Sequence, residues 1–320
     1  MRQRIVWIDE LKAFAIILVV MGHVLISRFL PQFTVWHDVI YSFHMPLFMF
    51  LSGLFAYKAT EAVERGMKKK YMENKFRQLL LPVIFGGGIL CLFHHENYIT
   101  QYLLRGGAYY WYLVTLFEFL LIFLIARFIS RKYFYLLVTI PYLAVLFAPS
   151  SSILAEMVSK DNFMFTYPYF VYGHIFNKYR MQRKIAIKNV EFVFCLLLLV
   201  ALVVLTTFTH LKCLNYGIAF FVINILIFLF DRFFSKLKVL EFFGNYLGKE
   251  TLSIYILHYF FLGLTPFGIM EQYNGSNTSV IQYSFIVIAV SCLIILISLS
   301  MSALLQKSKY ISMLLLGKMS

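Results

Sequence analysis

What most constrains this chain is the return, from Leu11 almost to the C-terminus, of apolar runs about as long as a bilayer is thick. A spanning helix needs roughly 20 mainly apolar residues. On that basis spans are expected at 11–30, 35–57, 79–97, 111–128, 133–148, 163–177, 190–209, 213–231, 251–268 and 280–304, two of them (133–148 and 163–177) short. The composition agrees: 61% of residues are hydrophobic and 14% charged, against roughly 45–50% and 25% in a soluble domain. The polar stretches between runs are too short for a separate soluble domain. The expected fold class is therefore all-α, a polytopic membrane protein of about ten helices, with 1–320 forming a single transmembrane domain. The first run carries Lys12 and His23 and lacks a small-residue cleavage site, so it reads as a retained helix rather than a signal peptide.

A formal charge of +14 would point to nucleic acid in a soluble protein. Here it sorts by side instead. If the spans alternate, the loops on one side collect every Lys and Arg except Arg28, Arg105, Lys160 and Lys212 opposite, with Lys12 at a helix entrance. Inward-facing loops are rich in Lys and Arg. Both termini are thus expected on the cytoplasmic side of a cell membrane, plasma or inner, with lipid and not nucleic acid as the surrounding partner. The basic stretch from Lys58 to Arg77 reads mainly as this topology signal, with contact to acidic headgroups or an anionic cofactor as the alternative. Cys91, Cys195, Cys213 and Cys292 have neither disulfide-framework nor zinc spacing and read as packing residues; no metal is expected. Oligomeric state leaves no mark in the sequence.

Ionisable groups inside spans are costly and point to function by default. In the first span Lys12 and His23 are eleven residues apart, which at 3.6 residues per turn puts them about 20° apart on one face and roughly 16 Å apart along the axis. Asp9 falls on the same stripe. Taken singly, Lys12 reads as a snorkelling anchor and His23 as a hydrogen-bonded packing residue; their shared face weakens both readings. In the second span His44 lies at a depth similar to His23, with His37 and Tyr41 on nearly the same side, and Pro46 removes a helical hydrogen bond, either as a structural kink or at a cavity. Glu118, after Trp111 and Tyr112, must be paired, protonated or hydrogen-bonded if buried. His258, one turn after Tyr255, is open between a packing and a functional role, and His174 reads as interfacial.

The run from Ile8 to His23, a basic residue followed after ten others by histidine, resembles the signature of the membrane-bound acyltransferase family 3. Phe43-His44-Met45-Pro46 through Gly53 is similar to its second block, especially in members of the fucose O-acetylase type. Weaker echoes are Trp111-Tyr112-Leu113, Tyr167-Pro168-Tyr169-Phe170 with Gly173, and Leu247-Gly248 leading to Tyr255 and His258. One departure is the pair of arginines that often precedes the third-helix proline: before Pro82 those positions hold Lys75 and Gln78, with Arg77 between.

The resemblance implies an O-acyltransferase, most simply an O-acetyltransferase, with acetyl-CoA or another acyl-CoA as cytoplasmic donor and an extracytoplasmic or lipid-linked saccharide, such as a glycolipid, as acceptor. It implies catalytic roles for His23, His44 and Glu118, and donor binding by Lys12, Asp9, Lys75 and Arg77. Ser52, Tyr255, His258 and Trp111 become candidates for holding the acceptor or the oxyanion. A general base at His23 fits imidazole chemistry, and a transient acyl-histidine is the variant. Acylation of a lipid, peptide or small metabolite is an alternative. So is a transporter, against which stands the lack of matching inverted halves.

Overall fold

The computed structural model describes residues 5–28, 34–93, 108–209, 211, 213–262 and 280–318, and among these it is all helical. In chain order the helices are α1 (Val6–Arg28), α2 (Thr34–Gly53), α3 (Tyr57–Glu64), α4 (Lys68–Lys75), α5 (Leu81–Phe93), α6 (Trp111–Ile129), α7 (Phe134–Phe147), α8 (Ile153–Met157) and α9 (Lys160–Phe176). There follow α10 (Asn189–Thr209), α11 (Leu214–Arg232), α12 (Lys238–Leu262), α13 (Val280–Leu305) and α14 (Lys309–Leu316). Single π-helical turns, Phe76–Leu80 and Asn177–Met181, join α4 to α5 and extend α9.

Among the described residues six helical stretches are long and apolar enough to cross a membrane: Trp36–Glu64, Lys68–Phe93, Trp111–Ile129, Asn189–Thr209, Leu214–Lys236 and Ser284–Leu305. Each overlaps an expected span, and two helix starts differ from the expected ones in an instructive way. Helix α12 begins at Lys238, thirteen residues before the expected 251, because Glu241, Lys249 and Glu250 interrupt the apolar run without interrupting the helix. Likewise α4 and the π turn lead α5 in from Lys68 rather than from 79. Residues 29–30, 94–97 and 263–268 of the expected spans lie outside the described residues, as do Arg105, Lys212 and the side chain of Arg28.

The chain divides into two compact units, Met1–Phe48 with Ala186–Leu304, and Met49–Ile185 with Leu305–Ser320. In the first, the most extensive helix contact joins α1 to α12. Its physical basis is a pair of glycines one turn apart. A Cβ on Gly244 would sit 2.8 Å from Glu10 Cγ and 3.0 Å from the Glu10 backbone nitrogen, and one on Gly248 would run into the Asp9 carbonyl. Small residues spaced by four let backbones approach where lipid offers no hydrophobic drive for association. Leu11, Ala15, Ile16, Val20 and Val24 of α1 are fully buried in consequence. Helix α11 joins this core through Phe14 and Phe230, whose ring centroids lie 5.7 Å apart.

In the second unit the same device recurs: a Cβ on Gly53 would meet the Phe170 carbonyl and one on Gly173 the Phe50 carbonyl, so the end of α2 and α9 touch along their backbones. Helices α6 and α9 share an aromatic core, with Phe119 and Phe123 edge-on to Phe163, Tyr167 and Phe170. No disulfide joins the four cysteines. Cys91 is buried, whereas Cys213 and Cys292 are exposed, so packing accounts for Cys91 and not for those two.

Candidate active site

The polar stripe of α1 is present as a continuous helical face. At its start Lys12 Nζ lies 3.3 Å from Asp9 Oδ1, and both side chains are partly buried. The ion pair fixes an ammonium group that a free snorkelling lysine would leave mobile. Further along, His23 faces α12 rather than lipid. Its Nε2 is 3.0 Å from the Tyr259 hydroxyl, and its ring centroid lies 4.8 Å from that of Tyr259 and 5.1 Å from that of His258. Asp9 and Glu10 against Gly248 and Gly244 at one end, and His23 against His258 and Tyr259 at the other, make α1 and α12 parallel neighbours.

Hydrogen bonding defines the state of the two other imidazoles. His258 Nδ1 is 3.1 Å from the Ile254 carbonyl, and His44 Nδ1 is 2.8 Å from the Ile40 carbonyl. A carbonyl only accepts, so each ring carries a proton on Nδ1, and in the neutral ring Nε2 is then a lone-pair acceptor. His258 is completely buried, and its Nε2 has no partner among the described residues. His44 is also buried. His37, Tyr41 and His44 form a ladder on α2, with centroids 4.2 Å and 4.6 Å apart. Gly22 admits Tyr41 beside His23: a Cβ there would stand 3.0 Å from Tyr41 Cε2. Helix α2 continues unbroken through Pro46. Tyr255 is buried one turn before His258, 5.8 Å between centroids.

Of the three imidazoles His23 is the most accessible, since His44 and His258 are buried. Among the described residues no three His, Cys, Asp or Glu side chains are placed to hold a metal ion.

The remaining candidates belong to the second unit. Ser52 Oγ is 2.8 Å from the Tyr112 hydroxyl. Trp111 opens α6, and Glu118 Oε2 on that helix is buried without a partner among the described residues. Lys75 Nζ donates to Gln78 Oε1 at 2.7 Å, so the two positions where arginines were expected bond to each other, while Arg77 is exposed on the π turn. His174, expected at an interface, is instead buried among Phe123, Phe134 and Tyr135. Its surroundings come from α6 and α7, which sequence spacing does not report.

Sequence reasoning passed over Tyr259. Its only signal was adjacency to His258, one more aromatic among 22 tyrosines and 35 phenylalanines. The Gly244-x-x-x-Gly248 spacing was legible and carries the register that brings Tyr259 to His23.

Six apolar stretches long enough to cross a membrane, with His23, His258 and Tyr259 gathered where α1 meets α12, fit a multi-pass membrane protein. The chain belongs to the acyltransferase 3 family: residues 5–301 match its acyltransferase domain. It is similar to nodulation protein NolL of Sinorhizobium fredii (strain NBRC 101917 / NGR234), 31% identical over 183 residues. That alignment covers 52% of this chain and 47% of the relative, so the chain spans about half the length of the curated protein it matches. No solved structure matches.

Proposed function

We propose that the protein is an O-acetyltransferase of a cell membrane that moves an acetyl group from cytoplasmic acetyl-CoA, or a related acyl-CoA, to a hydroxyl of an extracytoplasmic or lipid-linked saccharide. The observation that carries the reading is His23, partly accessible and held by Tyr259, on the same α1 face as the Asp9-braced Lys12. Ten crossings with both termini cytoplasmic are supported by the one-sided distribution of Lys and Arg.

In this mechanism Lys12 receives the phosphate-bearing end of the donor at the cytoplasmic mouth. The extended thiol arm carries the thioester along the α1 face towards His23. When the Tyr259 oxygen accepts from Nε2–H, the lone pair of His23 is on Nδ1, and that atom takes the proton of the acceptor hydroxyl. The oxygen bonds to the acyl carbon, the carbon–sulfur bond breaks, and the thiolate leaves and is reprotonated from His23, giving ester and free CoA. Neutral His44 and His258 present acceptor nitrogens, so they suit holding a hydroxyl by its proton. They do not suit the oxyanion, which needs donors. Tyr255 carries a hydroxyl able to donate there.

The test is purified protein in liposomes given acetyl-CoA and a panel of free and lipid-linked sugars, with CoA release and ester formation both measured. Equal amounts of CoA and sugar ester are expected, dependent on acceptor. Uptake or efflux of solute with the thioester intact would contradict the reading.

A further inference from the structure

One cavity is lined by none of the acyl-transfer candidates. Within the second unit, α3, α6, α7 and α9 surround a pocket of about 300 Å³ whose lining includes Glu64, Arg127, Arg131, Tyr135, His174 and Lys178. That volume is at the lower end for small-ligand sites.

Its charges do not cancel. Glu64 is paired with Arg127, and Glu61, also on the wall, lies 3.6 Å from Arg65, which is outside the pocket. Arg131 and Lys178 have no acidic partner among the described residues, and Lys178 rests 5.0 Å from the centre of the Tyr135 ring. Two positive charges are therefore left over. The wall also holds two buried polar atoms without hydrogen-bond partners among the described residues, His174 Nδ1 and the Tyr135 hydroxyl. His174 is only 6% exposed and wedged among rings. Orphaned buried groups are rare in folded proteins and call for a partner.

From this geometry we infer that the pocket between α3, α6, α7 and α9 binds a phosphate monoester, with Arg131 and Lys178 balancing its charge and Tyr135 and His174 donating to its oxygens. Phosphate supplies what the wall lacks, near two negative charges and several acceptor oxygens on one atom. A lipid headgroup or a soluble phosphate can present it. Basic pockets between membrane helices take anionic headgroups by the same chemistry.

The full chain in phosphatidylcholine nanodiscs, titrated with inorganic phosphate by calorimetry, tests the soluble source. Native mass spectrometry of the detergent-solubilised chain with phosphatidic acid tests the lipid source. Saturable single-site binding of either probe is expected, and the one that saturates at lower concentration identifies the source. Arg131→Gln with Lys178→Gln should weaken that binding at least tenfold. Lys132→Gln with Arg183→Gln, removing equal charge outside the pocket, should change it less than twofold. If the first pair fails to fold, Tyr135→Phe decides the matter, with a severalfold loss expected from one missing hydroxyl. The inference is overturned if neither probe saturates, if the outside pair weakens binding as much as the pocket pair, or if Tyr135→Phe binds like the parent. None of these readouts needs acyl transfer, so their failure leaves the proposed reaction standing.

Discussion

Helices α1 and α10 are of similar length and belong to the same unit, yet they are built on opposite plans. Helix α10 is an almost unbroken apolar run in which none of the described residues is buried; Val190, Leu197 and Phe208 are all more than 60% exposed. Helix α1 carries Asp9, Glu10, Lys12 and His23, and Leu11, Ala15, Ile16, Val20 and Val24 on it are fully buried. A soluble protein would reverse the two. In lipid an apolar helix gains nothing by leaving the hydrocarbon, whereas a helix with polar groups must find protein around them. Between these two helices, the buried one is thus marked by its polar residues.

That contrast can be broken most forcefully at the α1–α12 seam. Gly248→Leu places a branched side chain where the Asp9 carbonyl now lies. Overpacking of this kind costs on the order of 3 kcal/mol, so the protein should lose its sharp elution on size exclusion after mild heating; an unchanged melting profile would mean the seam is loose. A smaller effect is expected at Tyr259→Phe, which keeps the packing and removes the bond to His23. Turnover should fall about tenfold, equivalent to roughly 1.4 kcal/mol, with donor KM unchanged. A rise in KM with turnover intact would place Tyr259 in binding instead. Lys12→Ala should do the converse and raise donor KM by about three- to fivefold, the scale of a partly exposed charge contact of up to roughly 1 kcal/mol. Least of all should follow from Leu197→Ala on α10: melting temperature and turnover within about twofold of the parent, since its side chain has lipid on offer in either form. A marked loss there would mean that α10 has an undescribed protein partner.

How much of this was readable beforehand follows the same division. Span centres were legible because apolarity over twenty residues has one meaning in a membrane protein. The start of α12 was not, because Glu241, Lys249 and Glu250 are good helix residues that a hydropathy window counts as loop. His23, His44 and His258 stood out as polar groups in apolar runs. Their tautomers did not, since those depend on carbonyls of Ile40 and Ile254 one turn back. The Lys12 and Asp9 pairing follows from an i, i+3 spacing that the sequence displays. Tyr259 and the burial of His174 depend on contacts with residues more than two hundred and about forty positions away, and no local pattern carries that.

The central claim is that His23 takes the acceptor proton. It is tested most directly by His23→Ala, prepared in liposomes at matched melting temperature and matched amount of folded protein, with ester formation from acetyl-CoA as the readout. Loss of a positioned general base costs about 10²–10⁴ in rate, and a fall in that range, with donor KM little changed, is the predicted result. Transfer by His23→Ala at the parent rate would contradict the account.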